Sequence, residues 1–154
     1  MLLDETLAAY TASLDSAIAC LQQVEALAEE QRAAWTRNEL LPLGALAARR
    51  AALMHDLAAI DTQVASLRDR LRGEPARVRQ RPGFSTADAR TRQARTIVDR
   101  VMAADRALLA DLGQTVEARR REVHDLDTGG ATLAAYKRVV IPAVQSAGLL
   151  DSRG

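Results

Sequence analysis

This 154-residue sequence is poor in the residues that most often carry chemistry or fix small folds. Cys20 is its only cysteine, so no disulfide can form within the chain, and there are only two histidines. Aromatic residues are limited to one Trp, two Tyr and one Phe, which leaves little for stacking on nucleic-acid bases. Basic and acidic residues number 21 and 20, so the whole chain has no strong field of either sign.

Long apolar runs are also absent. No stretch reaches 18 apolar residues, so we expect no membrane insertion. The first ten residues contain Asp4 and Glu5 and lack the basic start of a secretory signal. Together with the single cysteine, these features favour a soluble cytoplasmic protein.

Motifs for catalysis or metal binding are missing as well. His55 and His124 are each followed by an aspartate, but neither has a second histidine or a cysteine at metal-ligand spacing. The phosphate-binding, dinucleotide-binding and nucleophile-elbow motifs do not occur. The sequence therefore predicts a protein that is not an enzyme and that needs no metal or cofactor.

What the sequence does contain is helical periodicity. Ala, Leu, Arg, Asp and Glu dominate, and apolar residues recur at spacings of three and four. The pattern predicts an all-α fold, an elongated three-helix antiparallel bundle or coiled coil with helices near 4–36, 39–72 and 86–127. Asn38 is the predicted N-cap of the second helix, with a helix start at Pro42 as the alternative. The Pro- and Gly-containing segment 73–85 is a predicted loop or linker.

Two charged residues interrupt the apolar stripes. Arg50 lies in the stripe of the second helix and Asp105 in that of the third. If residue 72 faces residue 86 in an antiparallel pair, residue 50 faces residue 108, one turn from Asp105. We predict that Arg50 approaches Asp105 and fixes the helix register. The alternative is that both side chains extend outward to water.

The third helix is predicted to continue past the end of the bundle, near residue 120. Residues 1–128 form the predicted bundle, and residues 129–154 form a partly helical or flexible extension that binds a partner. The predicted binding surface comprises the apolar residues on and beyond the end of the third helix: Leu112, Val116, Val123, Leu126, Leu133, Tyr136, Val139, Val140 and Ile141. The alternative is that residues 129–154 fold back and complete the bundle.

An arginine-rich stretch offers a different interpretation. Seven arginines occur between residues 77 and 100, against only Asp88 and Asp99: Arg77, Arg79, Arg81, Arg90, Arg92, Arg95 and Arg100. Such a patch is a candidate contact for RNA or an acidic partner. Phe84 is the only aromatic residue there, so we favour a solvated face over nucleic-acid binding.

Three stretches carry a resemblance to a known family. They are LQQVEALAEEQRAAWTRNELLPLGALAARRAALMHDLAAI (21–60), DRALLADLGQTVEARRREVHDL (105–126), and GGATLAAYKR with the trailing GLLDSRG. In these stretches the sequence resembles the flagellar export chaperones of the FlgN type and the related FliT type. It differs in its longer basic linker at 73–85 and in lacking an Asn-rich step in the last helix.

The resemblance implies a cytoplasmic chaperone that binds helical C-terminal segments of hook-associated or cap proteins and delivers them to the export gate. It implies a monomer or weak homodimer, and a contact between Tyr136 and the export gate. Two other classes stay open: a structural coiled-coil adaptor that self-associates through its third helix, and an RNA-binding helical module using Arg77–Arg100.

Overall fold

A computed structural model describes residues 2–126; the side chains of Val123, Asp125 and Leu126 are not described. All the secondary structure in this range is helical, which confirms the predicted all-α bundle. The helices are α1 (Leu2–Thr36), α2 (Leu40–Arg72), α3 (Pro75–Arg79) and α4 (Phe84–Leu126). The predicted extension 129–154 lies outside the described residues.

The chain divides into two compact units. Among the described residues, unit 1 comprises 2–25 and 53–100, and unit 2 comprises 26–52 and 101–126. The three long helices each contribute one part to either unit, whereas α3 belongs wholly to unit 1.

The turn between α1 and α2 is built around Asn38. Its φ of 59° lies in the left-handed region, which asparagine tolerates better than most residues. The Asn38 N–H donates to Trp35 O at 3.0 Å and the Glu39 N–H donates to Ala34 O at 2.9 Å, the bond pattern that closes a helix C-terminus. Asn38 therefore ends α1, and its predicted role as N-cap of the second helix is wrong.

Segment 73–85 was predicted to be a loop or linker. That prediction is incomplete, because the segment contains the short helix α3. Pro75 lies in the first turn of this short helix, where the missing N–H costs no hydrogen bond. Val78 is buried, and it packs in a core cluster with Leu7, Leu71 and Ala87. A single buried side chain thus fastens the segment to unit 1. The following helix begins at Phe84, two residues before the predicted start.

Ion pairs along α1 show how it lies against α4 in unit 1. Asp15 pairs with Arg90 at 2.7 Å, and Glu25 pairs with Arg100 at 2.9 Å. The same interval of ten residues separates the two contacts on both helices, so α1 and α4 run parallel here. Leu7 packs with Leu71, and Cys20 Sγ donates to Leu53 O, so α2 runs antiparallel to α1 in this unit, as the antiparallel bundle predicts.

The core of unit 2 contains a buried ion pair. Arg50 is fully buried and Asp105 is 5% exposed. Arg50 Nη1 donates to Asp105 Oδ1 at 2.7 Å, Nη2 donates to Oδ2 at 2.5 Å, and Nη1 also donates to Gln31 Oε1 at 3.1 Å. The predicted Arg50–Asp105 pair is confirmed as a two-bond interaction, and the alternative of outward-pointing side chains is wrong.

Candidate partner-binding surface

Leu112 is the last buried residue of α4 among the side chains that the structure describes. Leu112 is 3% exposed and clusters with Leu108, against which Trp35 and Leu40 pack. No residue beyond it is buried among those whose side chains are described. Leu112, one of the predicted binding residues, therefore belongs to the core of unit 2. Its contact with a partner stays a prediction.

Beyond Leu112, α4 continues with no fully buried side chain among those that the structure describes. Residues 113–126 stay helical, which extends the helix by about 21 Å at 1.5 Å per residue. Val116 is half-buried, whereas residues 117–122 are all exposed. A helix that extends beyond its last described buried residue has a face that is accessible to another molecule.

The remaining residues of the predicted binding surface are less fully described. Val123 and Leu126 belong to α4, but nothing is described of their side chains. The others, Leu133, Tyr136, Val139, Val140 and Ile141, lie outside the described residues. It therefore stays a prediction that these residues form one binding surface.

Sequence reasoning missed a second feature of α4. Leu109, Gly113 and Glu117 line a shallow depression together with Ala110, Gln114, Ala118 and Arg121. A Cβ atom added at Gly113 would meet nothing within 4 Å, so the backbone there is open to close approach. The signal was present in the sequence, because Ala110 and Gly113 are small and lie three residues apart, which places them on one face of a helix.

Positive charge borders this part of α4. Arg119, Arg120 and Arg121 are all exposed, and Arg119 contacts Glu122 at 3.6 Å. Within residues 2–126, Arg120 and Arg121 have no ion pair. This part of α4 therefore combines small residues, such as Ala110 and Gly113, with a basic border.

The arginine-rich stretch has a different environment. Five of its seven arginines pair with acidic residues: Arg77 with Glu74, Arg81 with Asp4, Arg90 with Asp15, Arg92 with Asp88, and Arg100 with Glu25. Acidic residues of α1 thus cancel much of the charge that the linear sequence suggested. This pairing weakens the case for an RNA-binding face.

The described residues contain little that suggests catalysis. His55 and His124 are exposed, and no group of three His, Cys, Asp or Glu is placed to hold a metal within residues 2–126. Burial, with a smaller contribution from Asp56, raises the pKa of the Cys20 thiol above its ordinary value. Its Sγ donates to Leu53 O at 3.3 Å, so the thiol is a packed donor and a poor nucleophile.

Among the described helices, none combines the length and apolar character that a membrane crossing requires. Comparison with known proteins adds no relative: no family model, no curated protein and no solved structure matches the chain.

Proposed function

We propose that this protein is a cytoplasmic export chaperone that binds an amphipathic helix of a flagellar substrate along the exposed end of α4. The observation that carries the proposal is the continuation of α4 beyond Leu112, the last buried residue described. Val116, Val123 and Leu126 follow one another at helical spacings of seven and three in the sequence, and such a stripe on an extended helix suits helix-in-groove recognition, in which the partner's apolar side chains replace water. The resemblance to FlgN-type chaperones supplies the class of partner.

In this proposal the substrates are C-terminal helical segments of hook-associated or cap proteins. Such segments expose apolar faces before assembly, and covering them prevents premature association. The basic border of Arg120 and Arg121 selects helices with acidic residues on their flanks. Tyr136 is the proposed contact for the export gate, on the resemblance alone.

A charge placed in the apolar face tests the substrate site. We expect Val116→Glu in the full chain to weaken binding of a hook-associated C-terminal peptide at least about tenfold, because a carboxylate in an apolar contact loses its hydration. Isothermal titration calorimetry measures the dissociation constant. Ala103→Glu, on an exposed position of α4 within its packed length, is the matched control.

Two outcomes would contradict the site. Equal weakening by both variants would show a general charge effect. Full binding by Val116→Glu would move the site to another helix. For the export gate, Tyr136→Ala should reduce gate binding while leaving the affinity for the substrate peptide unchanged.

The adaptor alternative also has an observation in its favour. The depression at Gly113 allows two α4 helices to approach closely, so self-association through this face is the second candidate function. Sedimentation equilibrium of Gly113→Gln tests it, since a larger side chain would separate the two backbones. Gly44→Gln is the matched control, because a Cβ at Gly44 also meets nothing within 4 Å. A tight dimer lost only in Gly113→Gln would favour the adaptor, whereas a monomeric parent chain would exclude it.

A further inference from the structure

A pocket in unit 1 has no part in the proposed function. Its volume is about 240 Å³, and its apolar lining includes Leu7, Leu71, Val78 and Phe84. For comparison, an apolar cavity of about 150 Å³ in a protein core admits benzene. The pocket is therefore large enough for one aromatic or large aliphatic side chain, and it falls short of the roughly 300–1,000 Å³ typical of sites for drug-sized ligands.

The lining also includes three exposed arginines. Arg68 and Arg72 come from α2, and Arg79 comes from α3. Within residues 2–126 neither Arg68 nor Arg79 has an ion pair, and Arg72 has only a 3.9 Å contact with Asp69. Arg68 and Arg79 thus differ from the five paired arginines of the stretch 77–100.

One acidic residue, Asp88, also lines the pocket, and its carboxylate already forms an ion pair. Asp88 pairs with Arg92 at 2.8 Å. The lining therefore keeps an excess of positive charge next to an apolar interior. Its complement is a ligand with an apolar group and nearby carboxylates.

One hydroxyl group on the wall, that of Tyr10, is only weakly engaged. Tyr10 Oη and Thr91 Oγ1 lie 3.4 Å apart, longer than the roughly 2.7–2.8 Å preferred by hydroxyl hydrogen bonds. Thr91 donates to Ala87 O at 2.9 Å, which leaves the Tyr10 hydroxyl able to redirect its proton to a bound acceptor. A peptide carbonyl beside the anchoring side chain is such an acceptor.

We propose that this pocket binds a protein segment that presents one aromatic or large aliphatic side chain flanked by carboxylates. The single side chain fills the pocket, and the flanking acids pair with Arg68 and Arg79. Because the free cations lie on two helices, they suit acids on either side of an anchor residue better than one headgroup. A buried anchor with charged surroundings is the usual arrangement of a dominant contact in a protein interface.

A labelled peptide tests the proposal on the full chain. The probe is a fluorescein-tagged 12-residue Gly/Ser peptide with one phenylalanine between two pairs of glutamates, and fluorescence anisotropy reports binding. We expect binding that weakens with salt. We also expect about tenfold or greater loss when the phenylalanine is replaced by glycine or the glutamates by lysines, since each change removes one half of the complementarity.

Matched charge reversals locate the site. The variant Arg68→Glu/Arg79→Glu should bind the peptide at least about tenfold more weakly than the parent chain. The control Arg95→Glu/Arg106→Glu makes the same change in net charge at exposed arginines outside the pocket, and it should bind as the parent does. All four side chains are exposed, so the fold should be unaffected, and circular dichroism checks this.

Several results would overturn the proposal. They are no binding of the peptide, equal loss in the two double variants, or binding of the lysine peptide as tight as that of the glutamate peptide. Free 3-phenylpropionate binding as tightly as the peptide would assign the pocket to a small carboxylic acid. Stronger binding of a 12-nucleotide oligouridine, lost in the Arg68/Arg79 variant, would assign it to nucleic acid.

Discussion

Removing Asp105 should destabilise the protein far more than removing any exposed acid. Arg50 is fully buried, and both of its terminal nitrogens donate to Asp105, at 2.7 and 2.5 Å. In Asp105→Ala the guanidinium would keep its charge inside the core with only Gln31 Oε1 as acceptor. Leaving one member of a buried pair uncompensated costs about 3–5 kcal/mol of the free energy of unfolding.

Replacing both partners should have a much smaller effect. Arg50→Met/Asp105→Leu removes the two charges together, so no uncompensated ion is left in the core. Gln31 Nε2 and Arg50 Nε have no hydrogen-bond partner among the described residues, so the native network carries a desolvation cost. We expect the double variant to lie within about 1 kcal/mol of the parent chain or to be more stable.

Urea unfolding followed by far-UV circular dichroism measures these free energies. With an m-value of roughly 1–3 kcal/mol/M, the loss in Asp105→Ala moves the midpoint by about 1 M or more. Glu30→Ala is the matched control, because Glu30 pairs with the neighbouring Arg49 at 3.9 Å while both side chains are more than half exposed. That exposed pair should contribute about 1 kcal/mol or less.

A loss below about 1 kcal/mol in Asp105→Ala would refute this reasoning, because the core would then solvate a lone guanidinium. A double variant as unstable as the single one would also refute it. In that case the ion pair would specify how the core of unit 2 packs, in addition to neutralising the two buried charges.

Three further predictions concern the turn, the cysteine and the C-terminus. Asn38→Val should cost about 1 kcal/mol or more in urea unfolding, because a β-branched residue resists a φ of 59°, whereas Asn38→Gly should be near neutral; equal costs would contradict the role of the left-handed turn. Cys20 should react with Ellman's reagent at pH 8 only as fast as the chain opens, because the thiol is buried and its raised pKa disfavours the thiolate; immediate labelling without urea would contradict this. A chain ending at Thr128 should still unfold cooperatively but lose capture of substrate and export gate; aggregation would show that residues 129–154 complete the core, and full binding would place the site on the first two helices.

Local signals in the sequence predicted the helices well. Apolar periodicity requires only that one face of each helix be buried, so the three long helices could be located before any packing was known. The interruptions at Arg50 and Asp105 were informative for the same reason. A charge inside an apolar stripe needs a partner, and antiparallel register brought the two within one turn of each other.

Other features depended on contacts between residues distant in sequence. Pro75–Arg79 is too short to be helical on its own, since helix nucleation is unfavourable, and it forms where Val78 packs against Leu7 and Leu71. Asn38 is a good residue for either end of a helix, so its identity alone could not decide between them.

The order of apolar and polar residues along the chain specifies the helical class, the extents of the long helices and the two charges that meet in the core. Packing between the helices specifies which arginines are neutralised, which arginines line the pocket, and which described residues of α4 are buried. Those outcomes depend on how the helices are rotated and aligned, which brings Asp15 and Glu25 of α1 beside Arg90 and Arg100 and leaves Arg68 and Arg79 without an ion pair among residues 2–126. Helix rotation and alignment are set by the packing of many side chains at once, so the pattern of one segment does not contain them.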